Sequence, residues 1–228
     1  MLRVGLTGGL GSGKSTVAAM LREDGLHILE ADAIAREMMQ PGQAVFRHIV
    51  EAFGPSVVRP DGTLNRPRLA SLAFGEGRLS ELNQIVHPPV IAEQERRMNA
   101  VFARDPRAIV VVESALIFEA EDWGTVPNWR LRFDRILLVT APEDLRIERF
   151  LARILPPHAK PEERASAERD TRSRLAAQLP DSAKISRCDA IIDNSGTLDA
   201  TRLQVDRIVA ELRAATDPER PGHYNKND

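Results

Sequence analysis

"GLTGGLGSGKST", residues Gly5 to Thr16, decides how the rest of the chain is read. Gly8, Gly13, Lys14 and Ser15 satisfy the spacing G-x-x-x-x-G-K-S/T, after a short apolar run and at the start of an amphipathic one. Glycines let backbone N–H groups converge on an anion without interference from Cβ atoms. The helix amino terminus adds unpaired donors and the positive end of its dipole. In such a loop the lysine reaches the β- and γ-phosphates and the Ser15 hydroxyl is a ligand for Mg²⁺. The stretch therefore predicts binding of a nucleoside triphosphate. It leaves hydrolysis, transfer and switching unseparated.

Working outward, apolar runs alternate with long amphipathic stretches. The expected strands are Leu2–Leu6, His27–Leu29, Ala108–Val112, Arg135–Val139 and Ala190–Ile192, apolar nearly throughout, as in a parallel sheet covered on both faces. This predicts an α/β fold of P-loop NTPase type: a parallel five-stranded sheet wrapped by helices. The first helix should run from about Gly13 to just before Gly25. Thr140 with Glu143 reads as a capping box starting another, and the last should span Leu198–Ala215. Residues 1–40 and 105–228 are assigned to the nucleotide-binding core. Residues 41–104 are a helical insertion with expected helices at Gln43–Phe53, Arg66–Phe74, Arg78–Val86 and Val90–Arg104, the last two parted by "HPP". "RILPPHAKPEERASAERD", Arg153–Asp170, reads as a mobile lid, and residues 217–228 as a frayed polar tail.

Bulk properties narrow the class. Of 228 residues, 43% are hydrophobic and 28% charged, the pattern of a soluble globular protein. A net charge of −2 with dispersed Lys and Arg gives no footing for nucleic acid as the main partner. A single cysteine, Cys188, rules out an internal disulfide framework. With no bilayer-length apolar run and no signal-peptide core at the start, a cytoplasmic location without membrane partner is expected. "NKND", Asn225–Asp228, spells the guanine-reading N-K-x-D, but it follows a polar, proline-broken segment instead of a buried strand and is read as coincidence.

Glu30 and Asp32 fall after the second strand, on the sheet edge where doubly wound folds bind ligands. An N-cap role for Asp32, on a helix Ala33–Met39, stands level with a functional one until location is weighed. The phosphate loop opens on the same edge, which favours function.

Several stretches, in order and nearly end to end, carry a more specific resemblance: "VGLTGGLGSGKSTVA", "EADAIAREMMQPG", "FGPSVVRPDGTLNRPRLASLAF", "LNQIVHPPV", "RLAAQLP" and "DAIIDNSG". With them the chain resembles the dephospho-CoA kinases. The resemblance implies a nucleotide-binding core, a helical coenzyme-binding region and a lid, with ATP phosphorylating the ribose 3′-hydroxyl of dephospho-CoA with Mg²⁺. It implies a catalytic set of Asp32, Lys14, Arg149 and Arg153, with Asp32 as the base for the acceptor hydroxyl. Gly8, Gly11, Ser12, Gly13, Lys14, Ser15, Thr16, Arg174 and Asn194 would hold the nucleotide; His87 and Glu113 would lie on the acceptor side with Asp32.

Some of these residues also have plainer readings. Arg149 and Arg153 stand four apart on one helical face with no acid at matching spacing, so an anion between them would relieve their repulsion. Arg146, with Glu143, reads as a solvated surface pair. Arg174 pairs by spacing with Asp170, and only its match with Gln178 to the family's R-x-x-x-Q makes it a nucleotide-site candidate. Asn194 divides between adenine contact and a turn role in "DNSG". His87, before two prolines, divides between a helix terminator and an acceptor-region residue. Trp123 and Trp129 read as packing. The chain departs from the family in "ESALIFE", where Glu113 and Ala115 stand in place of Asp and Pro. It also has a longer lid, with Ile154 where an acid often follows the lid arginine. A nucleoside monophosphate kinase and a non-enzymatic ATP switch are the rival functions; a monomer or small homo-oligomer is expected.

Overall fold

The computed structural model describes residues 1–126 and 128–216; the tail from 217 onward, with "NKND", lies outside the described residues. In chain order the elements begin β1 (Leu2–Thr7), α1 (Lys14–Glu23), β2 (His27–Glu30), α2 (Ala31–Met38), α3 (Ala44–Phe53), α4 (Arg66–Ala70) and α5 (Leu79–Phe102). They continue with β3 (Ile109–Glu113), α6 (Ile117–Asp122), β4 (Arg135–Thr140), α7 (Glu143–Ile154), α8 (Pro161–Ala176), α9 (Asp181–Ile185), β5 (Ala190–Asp193) and α10 (Leu198–Ala215). The five strands form one parallel sheet in the order β2-β3-β1-β4-β5.

Each expected strand is present and runs one residue further at its carboxyl end, to Thr7, Glu30, Glu113, Thr140 and Asp193. The register sets Glu30 and Leu6 on either side of Glu113, and Thr140 beside Asp193, so polar side chains line the edge where ligands bind. The central strands β3, β1 and β4 are almost wholly buried. The outer strands β2 and β5 are not: His27, Glu30, Ile191 and Asp193 are exposed, because an edge strand is covered on fewer sides.

One apolar core joins the sheet to α1 and α10 through Leu6, Val17, Leu21, Val139, Val205 and Val209. A second lies on the other face, where Met98, Val110, Phe118, Trp129 and Ile136 meet. Residues between β2 and β3 have a core of their own, in which Ile34, Ile49, Phe53, Leu69, Val86 and Val90 pack. Burying each such side chain contributes roughly 1.5–3 kcal/mol before entropy is charged.

Four local expectations fail, each for a visible reason. The helices expected on either side of "HPP" are one, α5, which passes through Pro88 and Pro89. Its buried residues Val86, Val90, Gln94, Met98 and Phe102 recur every four positions across the prolines, and that stripe outweighs the lost N–H donors. Gln84, whose carbonyl would have faced the Pro88 N–H, is exposed to water. Thr140 does not cap α7: it ends β4, and the N-cap is Pro142, so Glu143 opens the helix instead of closing a box. The segment from Pro161 to Asp170 is helical, the first part of α8. Pro161 fills its first position and Glu163 accepts the Lys160 N–H at 3.1 Å, so charge content there marks a solvated helix and not a loop. Asp32 is no N-cap either; Glu30 holds that position and Asp32 lies inside the first turn of α2.

Candidate active site

The loop between β1 and α1 curls around the end of the sheet. Gly11 and Gly13 have φ of +74° and +93°, and a Cβ at either would collide, with the Arg146 carbonyl or with the Asn194 amide. Lys14 folds back, its Nζ donating to Gly8 O at 2.8 Å and Gly9 O at 3.1 Å. Burial pushes its pKa down to about 8, against the opposing carboxylates of Glu113 and Asp32, while Lys184 and Arg146 add to the depression. Ser15 Oγ donates to Glu113 Oε1 at 3.1 Å. Burial raises the Glu113 pKa, with the Ser15 hydrogen bond and Lys14 pulling the other way.

These groups open on a cavity of about 670 Å³. Gly11, Gly13, Lys14, Ser15 and Thr16 line it from the loop, together with Asp32, Glu113, Arg149 and Arg153. Arg149 Nη1 donates to Asn194 O at 2.9 Å, and the Arg153 guanidinium lies 5.0 Å from the centre of the Phe150 ring. A second cavity, about 210 Å³, shares Asp32 and Ser114 with the first and runs between α2, α5 and β3. His87 lines it, with Nδ1 2.8 Å from Thr125 Oγ1 and its ring stacked 6.1 Å from that of Trp123. Burial lowers the His87 pKa. His87 thus sits inside a helix, not at a helix end, and lines the same cavity as Asp32. Trp123 is half exposed in this stack, whereas Trp129 packs edge-on against Phe118 in the core.

Other expected residues lie elsewhere. Gly8 and Ser12 are buried within the loop. Asn194 is 3% exposed; its amide donates to Ser12 O and accepts from Thr201 Oγ1, both at 2.9 Å. Its side chain thus ties the loop to α10 through Ser12 and Thr201. Arg174 is exposed on α8, outside the cavity, and no ion pair links it to Asp170 among the described residues.

Arg146 is the largest correction. Instead of a surface pair with Glu143, its Nε donates to Leu10 O at 3.0 Å and its Nη1 meets Asp181 Oδ2 at 3.3 Å, with the side chain only 11% exposed. Gln178 accepts the Leu10 N–H at 3.0 Å, so Leu10 is held through both its backbone N–H and its carbonyl. Behind it Lys184 and Glu119, both fully buried, form an ion pair at 2.7 Å. Arg36, one turn after Asp32 on α2, also faces the main cavity. The i, i+4 relation was a readable signal for Arg36. For Arg146 there was none, since its partner is 136 residues away.

A glycine loop of the phosphate-binding pattern, with carboxylates and arginines lining the same cavity, defines the class of a P-loop kinase acting on a small molecule. The family model for dephospho-CoA kinase (CoaE) matches residues 2–200, and the chain belongs to that family. It is 40% identical over 213 residues to a dephospho-CoA kinase of Corynebacterium efficiens, covering 93% of this chain and 98% of the relative. A dephospho-CoA kinase of Moorella thermoacetica is 41% identical over 225 residues, with 97% and 98% covered. Among solved structures, a Thermus thermophilus protein superposes with a TM-score of 0.71 at 31% identity, over 92% of this chain and 97% of that one. The Campylobacter jejuni dephospho-CoA kinase shares the fold, with a TM-score of 0.65 at 19% identity over 94% and 98%. The family's reaction is ATP-dependent phosphorylation of dephospho-CoA.

Proposed function

We propose that this chain carries out that reaction on the ribose 3′-hydroxyl, with Asp32 presenting the hydroxyl to the γ-phosphorus of ATP. The observation that carries the reading is that Asp32 lines both cavities, shares the larger one with Lys14 and Ser15, and acts electrostatically on Lys14. The new O3′–P bond forms as the bridging bond between the β- and γ-phosphoryl groups breaks. ADP leaves with that electron pair, and the hydroxyl proton passes to Asp32. A carboxylate of ordinary basicity suffices because a loose transition state asks little of the nucleophile, so the proton moves late. Lys14 and the loop N–H groups hold the donor, and Arg149 and Arg153 balance charge on the transferring group.

Magnesium fits the residues present. Ser15 Oγ and Glu113 Oε1 are 3.1 Å apart, near the roughly 3 Å between adjacent corners of an octahedron with bonds of about 2.1 Å. With that ion bound, phosphate charge is neutralised; Ser15 and Glu113 would be its protein ligands. Glu113, one methylene longer than the family's usual aspartate, makes the contact from the end of β3.

Residues 41–104 are assigned to coenzyme binding and 153–170, with the start of α8, to the lid. A cytoplasmic monomer or small homo-oligomer accords with this reading, and no described helix is long and apolar enough to cross a membrane. A coupled assay tests the acceptor: ADP release with ATP and dephospho-CoA is expected, and none with nucleoside monophosphates. Turnover on a monophosphate alone overturns the proposal.

A further inference from the structure

Besides Asp32, Ser114 and His87, the largely apolar wall of the smaller cavity holds two buried polar side chains that meet each other. Gln94, from α5, is 3% exposed, and Arg132, from the segment before β4, is 8% exposed. Arg132 Nη2 donates to Gln94 Oε1 at 2.7 Å, and its guanidinium lies 4.9 Å from the centre of the Phe133 ring. Arg132 Nε is buried with no hydrogen-bond partner, and no carboxylate pairs with this guanidinium among the described residues. Burial pushes the Arg132 pKa down to about 10, only partly offset by Glu95, as befits a cation lacking a compensating anion. A buried donor left without an acceptor is costly, so such a group in a cavity wall points to a ligand that completes it.

The chemistry of that ligand follows from the donors. The Gln94 carbonyl is taken by Arg132, which fixes the amide orientation and leaves its N–H₂ group as a donor. Both residues therefore offer N–H groups only, and they match atoms that accept. A diphosphate would bring more than one negative charge into a largely apolar pocket whose wall already holds the Asp32 carboxyl and a single guanidinium. A purine ring brings neutral ring-nitrogen acceptors and a flat apolar body suited to Phe133, Val90 and Ile117. At about 210 Å³ the pocket is smaller than the roughly 300 Å³ or more of sites for drug-sized ligands, which suits one ring system. The two cavities meet at Asp32, and a nucleoside carries its base and its 3′-hydroxyl on the same sugar. With the hydroxyl at Asp32, the base is directed into the smaller cavity.

We propose that Arg132 and Gln94 recognise the ring-nitrogen edge of the acceptor's adenine. The inference rests on dephospho-CoA being the acceptor. The test uses the full chain with dephospho-CoA and its 1-deaza, 3-deaza and 7-deaza adenine analogues, each lacking one ring acceptor. At least one analogue is expected to lose roughly 10- to 100-fold in kcat/KM, the range for a hydrogen bond to a charged group. Arg132→Met is expected to raise the KM for dephospho-CoA by a similar factor, to leave the KM for ATP unchanged and to abolish discrimination against that analogue. A merely structural arginine would not produce that loss of discrimination.

If the unaltered protein turns over all three analogues as well as the natural acceptor, the inference is overturned, whether or not the variant folds. An Arg132→Met protein that folds, with unchanged dephospho-CoA KM or preserved discrimination, overturns it too. A protein that does not phosphorylate dephospho-CoA at all overturns the functional reading itself and takes this inference with it.

Discussion

The two cavities that meet at Asp32 are built in opposite ways. The larger takes five of its lining residues, Gly11, Gly13, Lys14, Ser15 and Thr16, from one short stretch of chain, with Lys14 folded back on the Gly8 carbonyl. The smaller draws on α2, α5, β3, α6 and the Arg132–Phe133 segment, and offers mainly apolar side chains with one guanidinium whose Nε has no hydrogen-bond partner. A site made from local backbone is rigid and generic toward phosphate. A site made from side chains gathered across the chain distinguishes one acceptor from another. Donor binding and acceptor choice are thus expected to separate under mutation, with Asp32 belonging to both.

Asp32→Asn is the strongest way to break this comparison. It keeps the shape of the shared wall and removes the proton acceptor, so kcat is expected to fall roughly 10²- to 10⁴-fold while ATP affinity persists. Steady-state rates with calorimetric ATP titration check both halves; a normal kcat would remove Asp32 from the chemistry. Lys14→Ala comes next, with about 10²- to 10³-fold lost in kcat/KM for ATP and little change in the KM for dephospho-CoA. Equal damage to both KM values would mean that the two cavities are not independent.

The same contrast explains what could be read in advance. Gly13, Lys14 and Ser15 were legible because the loop's chemistry is dictated by spacing within one turn of chain. The five strands were legible because each is a short apolar run. Asn194, Arg146 and Arg132 were not, since what each does depends on a partner brought near by folding: Ser12, Leu10 and Gln94 respectively. Pro88 and Pro89 misled in the same way. A local rule against helix was outweighed by a buried stripe that only tertiary packing makes visible.

Arg146→Ala sharpens the comparison from the loop's far side. Losing the Leu10 contact and leaving Asp181 without its cation should raise the KM for ATP roughly 10- to 100-fold, as expected for a hydrogen bond made by a charged group. The KM for dephospho-CoA should stay constant, because Arg146 contacts Leu10 and Asp181 and does not line the smaller cavity. An unchanged ATP KM in a variant that melts normally would show that the loop holds its form without this brace.

The smallest expected effect is on pH, and its sign separates folding from binding. Lys14 has its pKa lowered from 10.5 to about 8 in the folded chain, so the unfolded chain binds more protons between those values. Burying Lys14 therefore opposes folding below about pH 8, and the penalty is relieved as pH rises from 8 toward 10.5. Triphosphate binding runs the other way: the anion favours the charged lysine and raises its pKa, so above pH 8 binding must take up a proton. ATP affinity is expected to be about tenfold weaker at pH 9 than at pH 7, with proton uptake visible as a buffer-dependent heat. The KM for dephospho-CoA should not share this dependence, and the Lys14→Ala protein should lose it. A pH profile that persisted in that variant would assign the titration to another group, with Glu113 the next to test.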